Sequence, residues 1–223
     1  MSFKADEYKN VKNFWEKCDS SFAHLTADRH LGGYDKLTSF WQSHFLNDLS
    51  KIIDLSASTV IDYGIGAGYL GMYLNEKYRV KKYIGIDIAE RSIAEADKQL
   101  EKTDLDYKLL LAPVIFSNFE PDIFISQAVI QHFPTEEYLT DFLENVNMSG
   151  SKVVMLQIAQ TPKLAKKKTA NKITDNDYLT EGDVVRRCRT YPSFVSLKLT
   201  NYTLKFQNQG PRDYVFLIYE KNL

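Results

Sequence analysis

The chain has 223 residues, 44% of them hydrophobic and 26% charged, and a formal net charge of −1. That is apolar material for one sizeable core, too little length for two full domains, and a composition that excludes a disordered chain. The near-neutral balance also excludes a global field that would draw the protein onto nucleic acid or an anionic membrane surface.

The opening stretch "MSFKADEYKNVKNFWEKC" is charged from its start and lacks the apolar centre of a signal peptide, and no later run reaches membrane-spanning length. Cys18 and Cys188 lack metal-ligand spacing and are too few for a disulfide framework, which fits a reducing compartment. A cytoplasmic protein with no metal, nucleic-acid or membrane partner is expected.

In chain order, Tyr8, Val11, Trp15, Cys18 and Phe22 recur at three-to-four spacing, as do Leu37, Trp41, Phe45, Leu49 and Ile52, predicting two amphipathic helices. Between them "TADRHLGGYDK" carries Gly32 and Gly33, which break a helix into a loop. From residue 58 short apolar runs alternate with helical stripes. The runs are "STVIDYG", "KKYIGIDI", "DYKLLL", "DIFISQ" and "KVVMLQIAQ"; the helices reach Tyr78 and span Glu90 to Leu100 and Thr135 to Val146. Pro134 precedes the last of these, and Thr135 is its expected N-cap. A further helix is expected near Glu181 to Arg189, and the runs "FVSLKLTNYTLKF" and "DYVFLIYEK" around "QNQGPR" suit an antiparallel hairpin. Strand–helix alternation followed by a hairpin predicts an α/β fold, a mostly parallel seven-stranded sheet with helices on its faces. Residues 1–55 are read as a helical cap or lid and 56–223 as the main domain.

The stretch "VIDYGIGAGYLG" admits two readings. From Gly66 it is a G-x-G-x-x-G dinucleotide fingerprint using Gly66, Gly68 and Gly71; from Asp62 it is an acid followed by Gly64, Gly66 and Gly68. Asp87, about twenty residues on at the end of "YIGID", suits the ribose diol of either ligand, or caps a helix. Asp62 separates the two. A pyrophosphate about 5 Å from an ionised carboxylate would be disfavoured by roughly 3 kcal/mol at an effective dielectric near 20, whereas the ammonium group of S-adenosylmethionine would be attracted.

The sequence resembles the class I S-adenosylmethionine-dependent methyltransferases over roughly residues 55 to 221. The resemblance rests on the glycine turn, on "YIGIDIAERSIAEA", on "DIFISQAVIQHFP" and on the final hairpin with its reversed last strand. It implies a Rossmann-like fold and a cofactor site of Asp62, Gly64, Gly66, Gly68, Asp87 and Ile88, with Gln127 lining the pocket. Members often carry an acid just after the third strand; here "KLLLAPVIF" has Ala112 and Pro113, which leaves backbone groups near Leu111 and Ala112 for the adenine. Members that methylate nucleic-acid bases or amides often show an Asn-Pro-Pro-Tyr run where this chain has "SQAV", which counts against those acceptors.

Methyl transfer from a sulfonium is an in-line displacement that chiefly requires placement and exclusion of water. His132 in "SQAVIQHFP" is the candidate general base for a hydroxyl acceptor, with packing of the loop as the alternative. Gln131 is a substrate-side candidate. Residues 163–189 hold eight basic and four acidic residues, and Lys167 and Arg187 there are candidates for an anionic, phosphorylated or nucleotide-linked substrate, with a solvated loop as the alternative. The run "QAVIQHFP" is similar to bacterial enzymes of sugar and surface-polysaccharide modification. An oxygen-directed small-molecule methyltransferase is therefore expected, against an NAD-dependent oxidoreductase, a non-catalytic S-adenosylmethionine-binding protein or a nucleic-acid methyltransferase.

Overall fold

The computed structural model describes residues 5–17, 34–133, 136–159, 199–210 and 214–222. Seven strands form one sheet: β1 (Thr59–Tyr63), β2 (Lys82–Asp87), β3 (Tyr107–Leu111), β4 (Ile123–Ser126), β5 (Val153–Ala159), β6 (Tyr202–Gln209) and β7 (Tyr214–Lys221). Their spatial order is β3-β2-β1-β4-β5-β7-β6, parallel from β3 to β5, with β7 antiparallel to both β5 and β6. The expected Rossmann-like sheet with its terminal hairpin is therefore present. The chain leaves β1 toward β2 and returns to β4 on the other side of β1, and such a reversal opens a crevice at the carboxyl ends of these strands.

The helices are α1 (Ala5–Lys17), α2 (Tyr34–Trp41), α3 (Asn47–Ile52), α4 (Tyr69–Tyr78), α5 (Glu90–Leu100) and α6 (Glu136–Met148). A π-helical turn, Gln42–Leu46, joins α2 to α3. Its cause is readable in the spacing: Leu37, Trp41, Phe45 and Leu49 recur every fourth residue, slower than the 3.6-residue α-helical period, and one wide turn keeps all four on the buried face.

Successive strand residues point to opposite faces, so the sheet separates two cores. Ile61, Tyr63, Ile86 and Phe124 pack with Leu139 and Phe142 of α6. Val60, Tyr83, Ile125 and Phe216 pack on the other face with Trp41, Phe45, Leu46, Leu49, Leu70 and Leu74. All five residues of β1 are buried, as befits a central strand. At the opposite end from the crevice, Asp122 accepts the Thr59 N–H (2.8 Å) and the Lys152 ammonium (2.7 Å), which holds its carboxyl below the usual range.

Within the described part of the run expected as strand from Phe194, the strand begins at Tyr202, and Leu199 to Asn201 turn, with the Tyr202 N–H on the Leu199 carbonyl. Helix α6 runs two residues past Val146. Cys18, Phe22, Pro134, Thr135, residues 194–198 and the helix expected at 181–189 lie outside the described residues. Among those described, no helix is long and apolar enough to cross a membrane.

Phe216 has no exposed surface, and the rings of Phe40, His44 and Phe45 lie 5.6, 5.4 and 5.8 Å from it. Phe216→Ala is expected to lower stability by about 3–5 kcal/mol in chemical denaturation. Leu204→Ala, 42% exposed in β6, should stay within about 0.5 kcal/mol of the parent.

Candidate cofactor and acceptor site

The turn from β1 into α4 lies at the crevice. Gly64, Gly66 and Gly68 have φ of +86°, +55° and +82°, a region open chiefly to glycine. A Cβ on Gly64 would fall inside the Val129 side chain, and one on Gly68 would press on Ala96, so these two pack against the fold. A Cβ on Gly66 would meet nothing within 4 Å. Gly66 is therefore the glycine whose bare backbone faces open space.

Two carboxylates border this turn. Asp87 ends β2, and its Oδ2 accepts the Gly66 N–H at 3.1 Å while Oδ1 accepts the Ala89 N–H at 3.0 Å. It thus closes a local turn, while the N-cap of α5 is Ala89 without a side-chain cap, and it also fastens the glycine loop. Asp62, 3% exposed, accepts the Tyr83 hydroxyl at 2.5 Å. Desolvation pushes Asp62 up to about 7 against the pull of Tyr83, with Asp87 adding to the rise; desolvation pushes Asp87 up to about 6 despite its backbone donors. No cationic side chain among the described residues offsets either. Such a pair is hostile to a diphosphate and receptive to an ammonium group.

The third and fourth strands complete the rim. Leu111 is 38% exposed, while Ala112 is buried with its N–H on the Asp87 carbonyl at 2.7 Å, so backbone groups and no acid line this edge. Beyond β4, Gln127 is half-buried, and Ala128 takes φ +57°, a conformation that costs an L-residue about 1–2 kcal/mol and fixes the path of the following loop. A 3₁₀ turn, Ile130–His132, follows, containing Gln131. His132 keeps some exposure, yet its ring is enclosed, and desolvation lowers it from 6.5 to about 4. The imidazole is neutral at pH 7.

Helix α1 reaches both sides of this crevice. The Trp15 ring stands edge-on to His132 at 5.0 Å and 76°. The adjacent Glu16 accepts the N–H groups of Glu90 (2.8 Å) and Arg91 (3.3 Å) at the start of α5, and Lys12 pairs with Glu90 at 3.2 Å. A carboxylate at a helix N-terminus satisfies orphan donors and complements the macrodipole. α1 therefore bridges the β2 and β4 loops.

A family model described as "Methyltransferase domain" matches residues 54–204. The chain belongs to this family. No curated protein sequence matches the chain. Among solved structures, magnesium protoporphyrin IX methyltransferase from Synechocystis PCC 6803 with bound S-adenosylhomocysteine is similar, at 15% identity and TM-score 0.66, covering 97% of this chain and 100% of that one. The same enzyme with bound S-adenosylmethionine is 14% identical at TM-score 0.64, covering 100% of both chains. A SAM-dependent methyltransferase from Aquifex aeolicus is 14% identical at TM-score 0.57, covering 91% of this chain and 98% of that one. These likenesses establish the fold, and the ligands in them are consistent with S-adenosylmethionine as the cofactor of this methyltransferase domain.

The structure brings Asp62, Gly64, Gly66, Gly68, Asp87 and Ala112 to one crevice, with Leu111 at the end of β3 and Ile88, Gln127 and His132 on its bordering loops. Lys167 and Arg187 lie outside the described residues. Sequence reasoning missed Tyr83 and Glu16, whose partners Asp62 and Glu90 stand 21 and 74 positions away. A phenol within the otherwise aliphatic "YIGI" was the one available signal for the first; Glu16 offered none.

Because the two carboxyls titrate above their ordinary value of 3.8, the free protein loses stability as pH rises from about 4 through about 7. His132, titrating low, contributes the opposite slope between about 4 and 6.5. A bound cation must displace the carboxyl protons. Affinity for S-adenosylmethionine is accordingly expected to strengthen from pH 5 to about 7 and then level off. Calorimetry in buffers of differing ionisation enthalpy should read release of about one proton at pH 6 and almost none at pH 8.5.

Proposed function

We propose that this chain is an S-adenosylmethionine-dependent methyltransferase acting on an oxygen of a small, anionic acceptor, a phosphorylated or nucleotide-linked sugar such as a surface-polysaccharide precursor. The observation that carries the choice of oxygen is the weakly basic, enclosed imidazole of His132 at the end of β4. A hydroxyl that gains a methyl group becomes an oxonium, far more acidic than an imidazolium titrating near 4, so His132 takes that proton downhill. A methylated amine would not surrender its proton to so weak a base.

The residues fit the cofactor. Gly66 leaves space for a ligand, Asp62 offers an anion to an ammonium group, and Asp87 offers oxygens to a ribose diol while anchored to Gly66. Ile88, Leu111 and the Ala112 backbone flank the nucleoside, and Gln127 lines the pocket. When bound, S-adenosylmethionine supplies a methyl group activated by its sulfonium. Gln131 and His132 are assigned to the acceptor, and Lys167 and Arg187 to its anion. Residues 56–223 form the catalytic domain, and within residues 1–55 the covering role falls to α1, which contacts both bordering loops. The sugar assignment is supported by the likeness of "QAVIQHFP" to sugar-modifying enzymes. The buried carboxylate pair and the family match leave no support for the dinucleotide alternative.

Transfer of labelled methyl to a panel of sugar phosphates, nucleotide sugars, amines and transfer RNA tests the reading. Label in the hydroxyl-bearing phosphorylated sugars is expected; label only in amines or RNA would overturn it, and binding without any turnover would favour a non-catalytic protein. With such an acceptor, His132→Gln is expected to lower kcat by about 10²- to 10³-fold at nearly unchanged cofactor affinity. Trp15→Ala should raise the acceptor KM several-fold more than it weakens cofactor binding, because the ring stands edge-on against His132.

A further inference from the structure

The third glycine of "GAGYLG" takes no part in the crevice. Gly71 lies in the first turn of α4, and a Cβ there would sit 2.7 Å from the Tyr83 ring. Its bareness makes room for Tyr83, which heads the largest wholly buried side chains in the described structure. A buried tyrosine must find partners for its hydroxyl. This one donates to Asp62 Oδ2 at 2.5 Å. Among the described residues, Tyr83 is the one side chain that hydrogen-bonds Asp62, and Asp87 is the one other titratable group acting on it; no titratable group of α4 or β4 does so.

We propose that Tyr83 is a positioning residue for cofactor binding: its hydroxyl engages one oxygen of Asp62 inside the fold and so holds the carboxylate in one orientation for the ammonium group. The inference rests on the reading of Asp62 as the ammonium partner. It gives the glycine fingerprint a role that owes nothing to a diphosphate: the first two glycines serve the turn, and the third serves the phenol that steadies the acid.

Tyr83→Phe preserves the ring that fills the gap beside Gly71 and removes the donor. Asp62 is then enclosed without a partner and retains its proton to higher pH. A merely space-filling role for Tyr83 would leave the pH dependence of binding unmoved. The experiment is a calorimetric profile of S-adenosylmethionine affinity from pH 5.5 to 9 for the parent, Tyr83→Phe, Asp62→Asn, the double variant, and a protein with 3-fluorotyrosine incorporated at position 83. Tyr83→Phe is expected to bind about tenfold more weakly at pH 7 and to recover by pH 9. Fluorotyrosine, a stronger donor of the same shape, should move the profile toward lower pH. Asp62→Asn should be weak throughout with a flattened profile, and adding Tyr83→Phe to it should change nothing more. If Asp62→Asn is weak while the Tyr83→Phe and fluorotyrosine profiles superimpose on the parent, Tyr83 is only a filler and the Asp62 reading survives. Parent-like binding by Asp62→Asn removes that reading and this inference together. Should Tyr83→Phe fail to fold, the fluorotyrosine profile decides alone, and an unshifted curve overturns the proposal.

Discussion

Enclosure of two carboxyl groups beside one glycine turn, with no cationic side chain among the described residues to balance them, is the constraint from which the rest of the site follows. Removing a carboxylate from water is costly unless hydrogen bonds or an opposite charge compensate. The fold meets part of that cost with backbone: Asp87 takes the Gly66 and Ala89 amides. It meets another part with the Tyr83 phenol on Asp62. What remains is an excess of negative potential beside an open face, a standing preference for a positively charged ligand built before any ligand arrives.

The same economy governs the cover of the crevice. Helix α1 is attached through Glu16 at the start of α5 and through Trp15 on His132. Helices α2 and α3 behave otherwise. Their stripe of Trp41, Phe45, Leu46 and Leu49 shares one core with Val60 and Phe216, and the Asn208 side chain ties the hairpin to the His44 carbonyl at 2.7 Å. A boundary drawn near residue 55 from the change in periodicity thus crosses continuous packing.

Much of the fold was legible because each element announces itself locally. The alternation of strand and helix from residue 58, the hairpin around Gly210 and the helix from Glu90 to Leu100 all lie where their apolar periods place them. Asp87 was legible through its spacing from the glycines. Illegible were contacts whose partners are distant in the chain: Tyr83 with Asp62, Glu16 with the Glu90 amide, Trp15 with His132. No local pattern encodes such pairs, since they arise when the register of β1 on β2 and the path of α1 are set. Ala128 escaped notice for a different reason. Its left-handed backbone is imposed by the loop after β4 and opposes its own preference, so composition argues against what the loop demands. The low proton affinity of His132 was likewise invisible, for it comes from enclosure in the folded chain.

The strand order carries one more consequence, for the time course of assembly. β7, the last described strand in the chain, lies between β5 and β6, and its Phe216 plugs the core beneath α2 and α3. Until residues 214–221 have been synthesised, β5 presents an unpaired outer edge and that plug is missing. Docking of this final segment must therefore be a late step, and a nascent chain halted before it would expose both a sticky margin and an unfilled aromatic socket, the two features that invite association with the wrong neighbour.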